Sequence, residues 1–161
     1  MRAIKMPATT GSADGGRFEG VTAVTRKVMQ ANKGKNTKPE MIVRRLLHGL
    51  GYRYRIHAAP LPGRPDIVFP GRRRILFVHG CFWHRHPGCR RAFMPKTRAD
   101  FWAEKFQSNV NRDARNMRAL EEAGWQVRVI WECETREPEA LSRNLVEFLG
   151  PARSSAVASN V

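Results

Sequence analysis

The chain has 161 residues, 42% of them hydrophobic, with 29 Lys/Arg against 14 Asp/Glu and a net charge of +15. That length supports one domain with a real core plus tails, and the charge calls for a polyanionic partner, nucleic acid first and a membrane surface second. No long apolar run and no basic amphipathic helix is present, which removes the membrane reading. The three cysteines cannot all pair within one chain, and the opening MRAIKMPATT lacks the apolar stretch of a signal peptide; a cytoplasmic protein using thiolates as metal ligands is expected rather than a disulfide-bonded one.

Residues 1–24 read as a flexible N-terminal extension, 25–150 as the folded domain and 151–161 as a flexible tail. A basic arm, TRKVMQANKGKNTK, opens the domain. Thr37-Lys38-Pro39-Glu40 then has the form of a capping box with Pro in the first turn. The helix it starts carries an apolar stripe through Ile42, Val43, Leu46, Leu47 and Leu50 and stops at Gly51. Tyr52 to Ile56 alternates like a strand. After the loop AAPLPGRP, residues 66–69 and 74–78 read as a hairpin turning at Pro70-Gly71. A helix from Asp100 to Ala123, a strand from Trp125 to Trp131 and an amphipathic helix from Pro138 to Leu149 complete the order. This pattern predicts an α/β sandwich, a mixed central sheet flanked by helices. Phe93 and Trp102 are expected in the core.

The charge is uneven. Between Arg26 and Arg98 lie 18 basic residues and two acids, Glu40 and Asp66; from Ala99 onward there are 8 basic and 10 acidic residues. A carboxylate inside a phosphate-binding surface repels the ligand unless a divalent cation bridges them. The plainer reading, more common for any single acid, is pairing with neighbouring arginines. Candidate phosphate contacts are Lys33, Lys35, Lys38, Arg64, Arg72, Arg73, Arg74, Arg90, Arg91, Lys96 and Arg98. Were about six of them real, affinity would fall ~10³-fold or more between low and moderate salt.

The densest information lies in Val78–Cys89, VHGCFWHRHPGC. Cys81, His86, Cys89 and Cys133 offer three thiolates and an imidazole, a closed tetrahedral set suited to structural Zn²⁺. His84 could take the place of His86; spacing leaves that open. A single Cys is more often a small buried hydrophobe, but three together beside histidines favour a metal.

Asp66 follows Pro65 at the start of a hairpin strand, and the next strand ends in Phe77-Val78-His79. This layout resembles the restriction-endonuclease-like nucleases, with Phe77-Val78-His79 in place of the usual acid and lysine. LPGRPD at 61–66, FVHGCFWHRHPGC at 77–89, FWAEKFQSNVNRD at 101–113 and GWQVRVIWEC at 124–133 closely resemble the very short patch repair (Vsr) mismatch endonucleases, in order and with matching spacing from about Thr25 to Gly150. The resemblance implies a restriction-endonuclease-like sandwich and a Mg²⁺-dependent enzyme that nicks double-stranded DNA 5′ to the T of a T:G mismatch left by deamination of 5-methylcytosine. It also implies a monomer in the nucleoid, a cytosine-5 DNA methyltransferase as genetic companion, and downstream repair proteins.

It further implies that Asp66 and the backbone carbonyl of Val78 bind the catalytic Mg²⁺. The family often has Thr at the latter position, and a main-chain ligand tolerates Val. His84 would activate water and His79 assist at the phosphate; an imidazole, with its pKa near neutrality, suits either task. Glu40 and Asp113 match further acidic positions, although Glu40 is accounted for by its capping box and Asp113 by Arg112, Arg115 or Arg118. Phe82 and Trp83, joined by Met29 from the arm, would intercalate beside the mismatch, at an unstacking cost of a few kcal/mol that a mispair reduces. Competing expectations are a restriction-like nuclease of other specificity and a non-catalytic, zinc-stapled DNA-binding module.

Overall fold

The computed structural model describes residues 35–56 and 61–152. Met29, Lys33 and the rest of the basic arm before Lys35, the 1–24 extension and the tail beyond 152 lie outside the described residues. Among the described residues three helices and three strands follow one another as α1 (Lys38–Gly49), β1 (Ile67–Phe69), β2 (Arg74–His79), α2 (Ala99–Glu122), β3 (Gln126–Trp131) and α3 (Pro138–Leu149). The sheet order is β1-β2-β3. β1 is antiparallel to β2, and β2 is parallel to β3. The mixed sheet is therefore present.

Alternation along the strands loads both faces. Ile67, Phe69, Leu76 and Ile130 meet Val43 and Leu47 of α1 and Leu141, Leu145 and Leu149 of α3. Val68, Ile75 and Phe77 meet Leu120, with Met117, Val127 and Val129 packed alongside. Strands covered on both sides read as continuous apolar runs, and ILFV in β2 is one.

The N-terminus of α1 follows the expected cap. Thr37 Oγ1 accepts from the Glu40 N–H at 3.4 Å, and the Glu40 carboxylate accepts from the Thr37 hydroxyl at 2.9 Å and from the Asn36 N–H at 2.9 Å. The reciprocal bond thus reaches one residue earlier than in a standard capping box. At the other end Gly51 takes φ +84°, the left-handed turn that closes helices.

Three expectations change. The Tyr52–Ile56 strand reduces to one bridge, Arg55 to Val68. The segment is used through its side chains instead. Tyr52 donates to the Gly150 carbonyl at 2.5 Å, Tyr54 to the Arg44 carbonyl at 3.0 Å, and both rings sit edge-on to Phe69. The hairpin turn is a 3₁₀ turn over Pro70–Arg72, with Arg73 left-handed at φ 52°.

The third correction concerns Phe93, which is 61% exposed, whereas Trp102 is buried. Phe93→Ser should therefore lower unfolding free energy by only about 0.5–1.5 kcal/mol, the scale of its one ring contact, with Phe82, whereas a buried Phe would lose several times that. Urea denaturation decides between the two.

Arg72, Arg73 and Arg74 are each engaged within the fold. Arg72 donates to the Leu149 and Pro151 carbonyls at 2.6 and 2.7 Å. Arg73 donates to the Ala123 and Gly124 carbonyls and stacks over Trp125 at 4.7 Å. Arg74 donates to Gln126 at 2.8 Å. The first two satisfy the free carbonyls closing α3 and α2, where the helix dipole favours a cation. All three stand at the opposite end of β2 from His79.

Candidate functional site

The carboxyl end of β2 and the loop after it carry the chemistry. Asp66, directly before β1, lies across the hairpin from β2, and its Oδ2 accepts from the Val78 N–H at 2.7 Å. Burial pushes the Asp66 carboxyl up to about 6; the Val78 bond opposes this, the Glu40 charge adds to the rise, and Arg44 offsets part of it. The two isolated acids of the basic half therefore act on one another in the fold. Glu40 is itself buried and accepts from Arg44 Nη2 at 3.0 Å, while Arg44 Nη1 donates to Asn36 Oδ1 at 2.6 Å.

On the other side of β2 a second group forms. His84 Nδ1 meets Asp113 Oδ2 at 2.5 Å. Arg112 Nη2 donates to the other Asp113 oxygen at 3.1 Å. Asp113 thus meets both the arginine and the histidine. Burial works to raise the Asp113 pKa, but the His84 bond and charge, with Arg112, leave it lowered. A carboxylate at Nδ1 fixes the imidazole tautomer and leaves Nε2 as the free acceptor. His79 stacks on His84 with ring centroids 3.8 Å apart. Burial, reinforced by the His84 charge, lowers His79 to about 3. At neutral pH His79 is thus an uncharged hydrogen-bonding ring rather than a proton exchanger, which narrows the role read from its residue type.

The third group is Cys81, His86, Cys89 and Cys133, whose donor atoms all lie within 4.8 Å of one another. His86 Nδ1 is 3.7 Å from Cys81 Sγ and 3.3 Å from Cys133 Sγ. Those separations match the edges of a tetrahedron, roughly 3.5 Å for metal–S and metal–N bonds of about 2.3 and 2.0 Å. Burial holds the Cys81 thiol up at about 12, whereas the backbone N–H of Arg91 lowers Cys89. A buried thiol of that kind ionises when a cation replaces its proton.

The structure separates the two histidines that spacing left interchangeable. Arg85, between them, is left-handed at φ 55°. This conformation costs a non-glycine residue on the order of 1–2 kcal/mol, and it directs His84 to Asp113 and His86 to the cysteines. Arg85 is held by its bond to the Phe93 carbonyl at 3.0 Å and by stacking over Phe106 at 4.7 Å.

Phe82 and Trp83 are half-buried. Phe82 packs on Phe93, Trp102 and Phe106, and Trp83 stands edge-on to Phe82 at 5.1 Å. The pair thus rests on a built aromatic base. Asn109, which sequence reasoning passed over, ties that base to α2 by donating to the Trp83 carbonyl at 3.0 Å. A signal for it existed: Trp102, Phe106, Asn109 and Asp113 fall at helical spacing on one face, so two polar residues continue an apolar stripe. Trp131 was also passed over as a site residue. Its ring stacks on His86 at 4.3 Å and meets His79 edge-on at 5.6 Å.

A buried carboxylate with a raised pKa and an imidazole paired with a second carboxylate, at one end of a mixed sheet, are the kinds of group found in α/β enzymes of general acid–base chemistry. The family model described as DNA mismatch endonuclease Vsr matches residues 21–91. The chain is 52% identical over 127 residues to the type II nicking enzyme V.XorIIP of Xanthomonas oryzae pv. oryzae, covering 79% of this chain and 93% of that one. It is 41% identical over 139 residues to the DNA mismatch endonuclease Vsr of Escherichia coli, covering 83% and 88%. It is 42% identical over 111 residues to the type II nicking enzyme V.NaeI of Lentzea aerocolonigenes, covering 66% of each. The chain belongs to the Vsr endonuclease family.

Among the described residues no helix is long and apolar enough to cross a membrane.

Proposed function

We propose that this protein is a Mg²⁺-dependent, strand-specific DNA endonuclease of restriction-endonuclease-like fold that nicks 5′ to the T of a T:G mismatch, starting very short patch repair. The observation that carries the reading is the His84–Asp113 pair at 2.5 Å, which leaves Nε2 of His84 free as a base. Its surroundings fit an attack by water on a phosphodiester. Family membership and the net charge of +15 support DNA as the substrate.

His84 Nε2 takes a proton from the attacking water, and Asp113 stabilises the imidazolium that results. His79, uncharged and stacked on His84, limits the ring to one orientation and offers a hydrogen bond toward the phosphate. Asp66 and the Val78 carbonyl are hard oxygen donors suited to Mg²⁺. The Asp66 carboxyl, raised to about 6 with the Glu40 charge adding to burial, is the kind of group a cation would return to its ionised form. A Mg²⁺ held by these groups would supply Lewis-acid polarisation of the phosphate and charge stabilisation of the leaving 3′ oxygen. Glu40 also remains a cap of α1, so it acts on the site mainly by charge.

Cys81, His86, Cys89 and Cys133 are the ligands of a structural Zn²⁺ that holds the loop to the end of β3. Phe82 and Trp83 form the wedge that tests the base stack, and Met29 of the arm would enter the stack from the opposite groove. Lys35, Lys38, Arg64, Arg90, Lys96 and Arg98 remain as phosphate contacts. The enzyme works as a monomer at the nucleoid in the cytoplasm. Its genetic companion is a cytosine-5 DNA methyltransferase, and downstream repair proteins follow it.

The test is a panel of end-labelled duplexes that differ in mismatch and flanking sequence, with and without Mg²⁺. The reading expects a single nick 5′ to the mismatched T, dependent on Mg²⁺ and lost in Asp66→Ala. An undiminished nick in that variant, or no nick at all, rejects the catalytic assignment. Equal cleavage of matched duplexes points to a restriction-like enzyme.

Cys133→Ala should lower zinc from one per chain to near zero and reduce stability by several kcal/mol. Elemental analysis with thermal unfolding checks both.

A further inference from the structure

Trp131 joins the Cys/His cluster to the histidine pair. It is the last residue of β3, and its register partner on β2 is His79. One face of the indole lies nearly parallel to His86, with 4.3 Å between centroids and 10° between planes. His79 meets the same indole edge-on at 5.6 Å and 74°. His79 in turn stacks on His84 at 3.8 Å and 16°, and His84 is bonded to Asp113. The rings thus form an unbroken series, His86–Trp131–His79–His84, from the thiolate cluster to the candidate base.

The neighbours of Trp131 hold it still. Its backbone N–H donates to Glu134 Oε2 at 2.6 Å, and Cys133 lies two residues further on. Adjacent Glu132 accepts from Arg91 at 2.6 Å, which ties the strand end to the far side of the Cys89 turn. The indole therefore has little freedom to tilt unless His86 or β3 moves with it. His79 is restrained on its remaining side by Phe77 at 5.6 Å. Ring contacts of this kind each contribute on the order of 0.5–1.5 kcal/mol and have a preferred geometry, so a ring held at one end sets the orientation of the next.

From this series we infer that Trp131 is a positioning residue: occupation of the Cys/His cluster fixes His86, and Trp131 passes that constraint through His79 to His84. The cluster would then act on the nicking rate as well as on stability. The inference rests on the catalytic reading of His84 and on a metal at the cluster.

The test compares Trp131→Leu and Trp131→Phe with the parent chain. Four quantities are measured: zinc per chain, the Kd for a T:G duplex, the single-turnover nicking rate, and the NMR imidazole resonances of His79 and His84. Leu removes the ring, and Phe keeps a smaller one. The expected result is zinc content and Kd within about twofold of the parent in both variants. The rate should fall about tenfold to a hundredfold in Leu and about threefold in Phe, as small misplacements of catalytic groups do. The His79 and His84 resonances should move in the same order. An unchanged rate and unchanged resonances in Leu overturn the inference. So does loss of zinc or of DNA binding in step with rate, because that outcome makes Trp131 a support of the fold alone. If Leu does not fold, Phe decides by itself, and a parent-like rate with parent-like resonances overturns the proposal. Should the parent chain fail to nick the duplex, the catalytic reading falls, while the resonances still report whether Trp131 orders the two imidazoles.

Discussion

Asp113→Asn is expected to slow single-turnover nicking by about 10²- to 10⁴-fold while leaving zinc content and DNA affinity nearly unchanged. The reason is the direction of one hydrogen bond. Arg112 donates to Asp113 Oδ1 while His84 occupies Oδ2. In the amide, Arg112 keeps the carbonyl oxygen and the NH₂ group turns to His84. The ring must then accept at Nδ1 and carry its proton on Nε2, so the base is lost although every ring stays in place. Adding Arg112→Ala frees the amide to rotate, and the double variant should recover part of the rate. Quenched-flow nicking of a T:G duplex measures both effects. A parent-like rate in Asp113→Asn would remove Asp113 from the mechanism.

Asp66→Asn should abolish nicking and at the same time make the metal-free protein more stable at neutral pH. The Asp66 carboxyl is raised from 3.8 to about 6, chiefly by burial. The folded state therefore binds the proton more tightly than the unfolded state. Stability from this group is complete below pH 3.8 and is lost as pH rises through about 6. Asparagine still accepts the Val78 N–H and never ionises. The variant should match the parent near pH 4 and exceed it above pH 6 by about 1–3 kcal/mol, the scale of a shift of two pH units. Mg²⁺ should narrow the gap, since it binds and stabilises the parent only. Thermal melts at pH 4 and pH 7.5 with EDTA, and at pH 7.5 with Mg²⁺, test the sign. A variant less stable at pH 7.5 would mean that Asp66 supports the fold instead of straining it. On the proposed reading the expected gain has a functional meaning: a buried carboxylate that destabilises the empty enzyme would be kept for the cation it binds.

Short-range patterns were legible in the sequence. The Thr37–Glu40 cap, the stripe of α1, the hairpin and the ends of α2, β3 and α3 each follow from residues a few positions apart, and each is present within a residue or two. The three cysteines and the isolation of Asp66 and Glu40 in a basic half were likewise visible in type and spacing. The Tyr52–Ile56 segment shows the limit of such reading. Its alternation is real, but alternation reports which side chains share a face and not whether a neighbouring strand has free edge groups to pair with. β1 has only three residues, and the Val68 N–H and C=O on its outer edge both pair with Arg55, which gives a single bridge.

What sequence alone determined is the inventory: an α/β sandwich, three thiolates with an imidazole, two solitary acids, a histidine-rich loop beside large aromatics, and a polyanion as partner. Tertiary structure decided the assignments. Left-handed Arg85 sends His84 to Asp113 and His86 to the cysteines, because one positive φ reverses the direction of the next side chain. Arg72, Arg73 and Arg74 have the charge of phosphate contacts, but Arg72 and Arg73 donate to the carbonyls closing α3 and α2, and Arg74 donates to Gln126 of β3. Phe93 has the chemistry of a core residue and no core to enter. Trp131 became part of the site only through the register that sets it opposite His79. In each case the deciding contact joins residues far apart in the chain or depends on a single backbone angle, and neither composition nor periodicity encodes which partner will arrive.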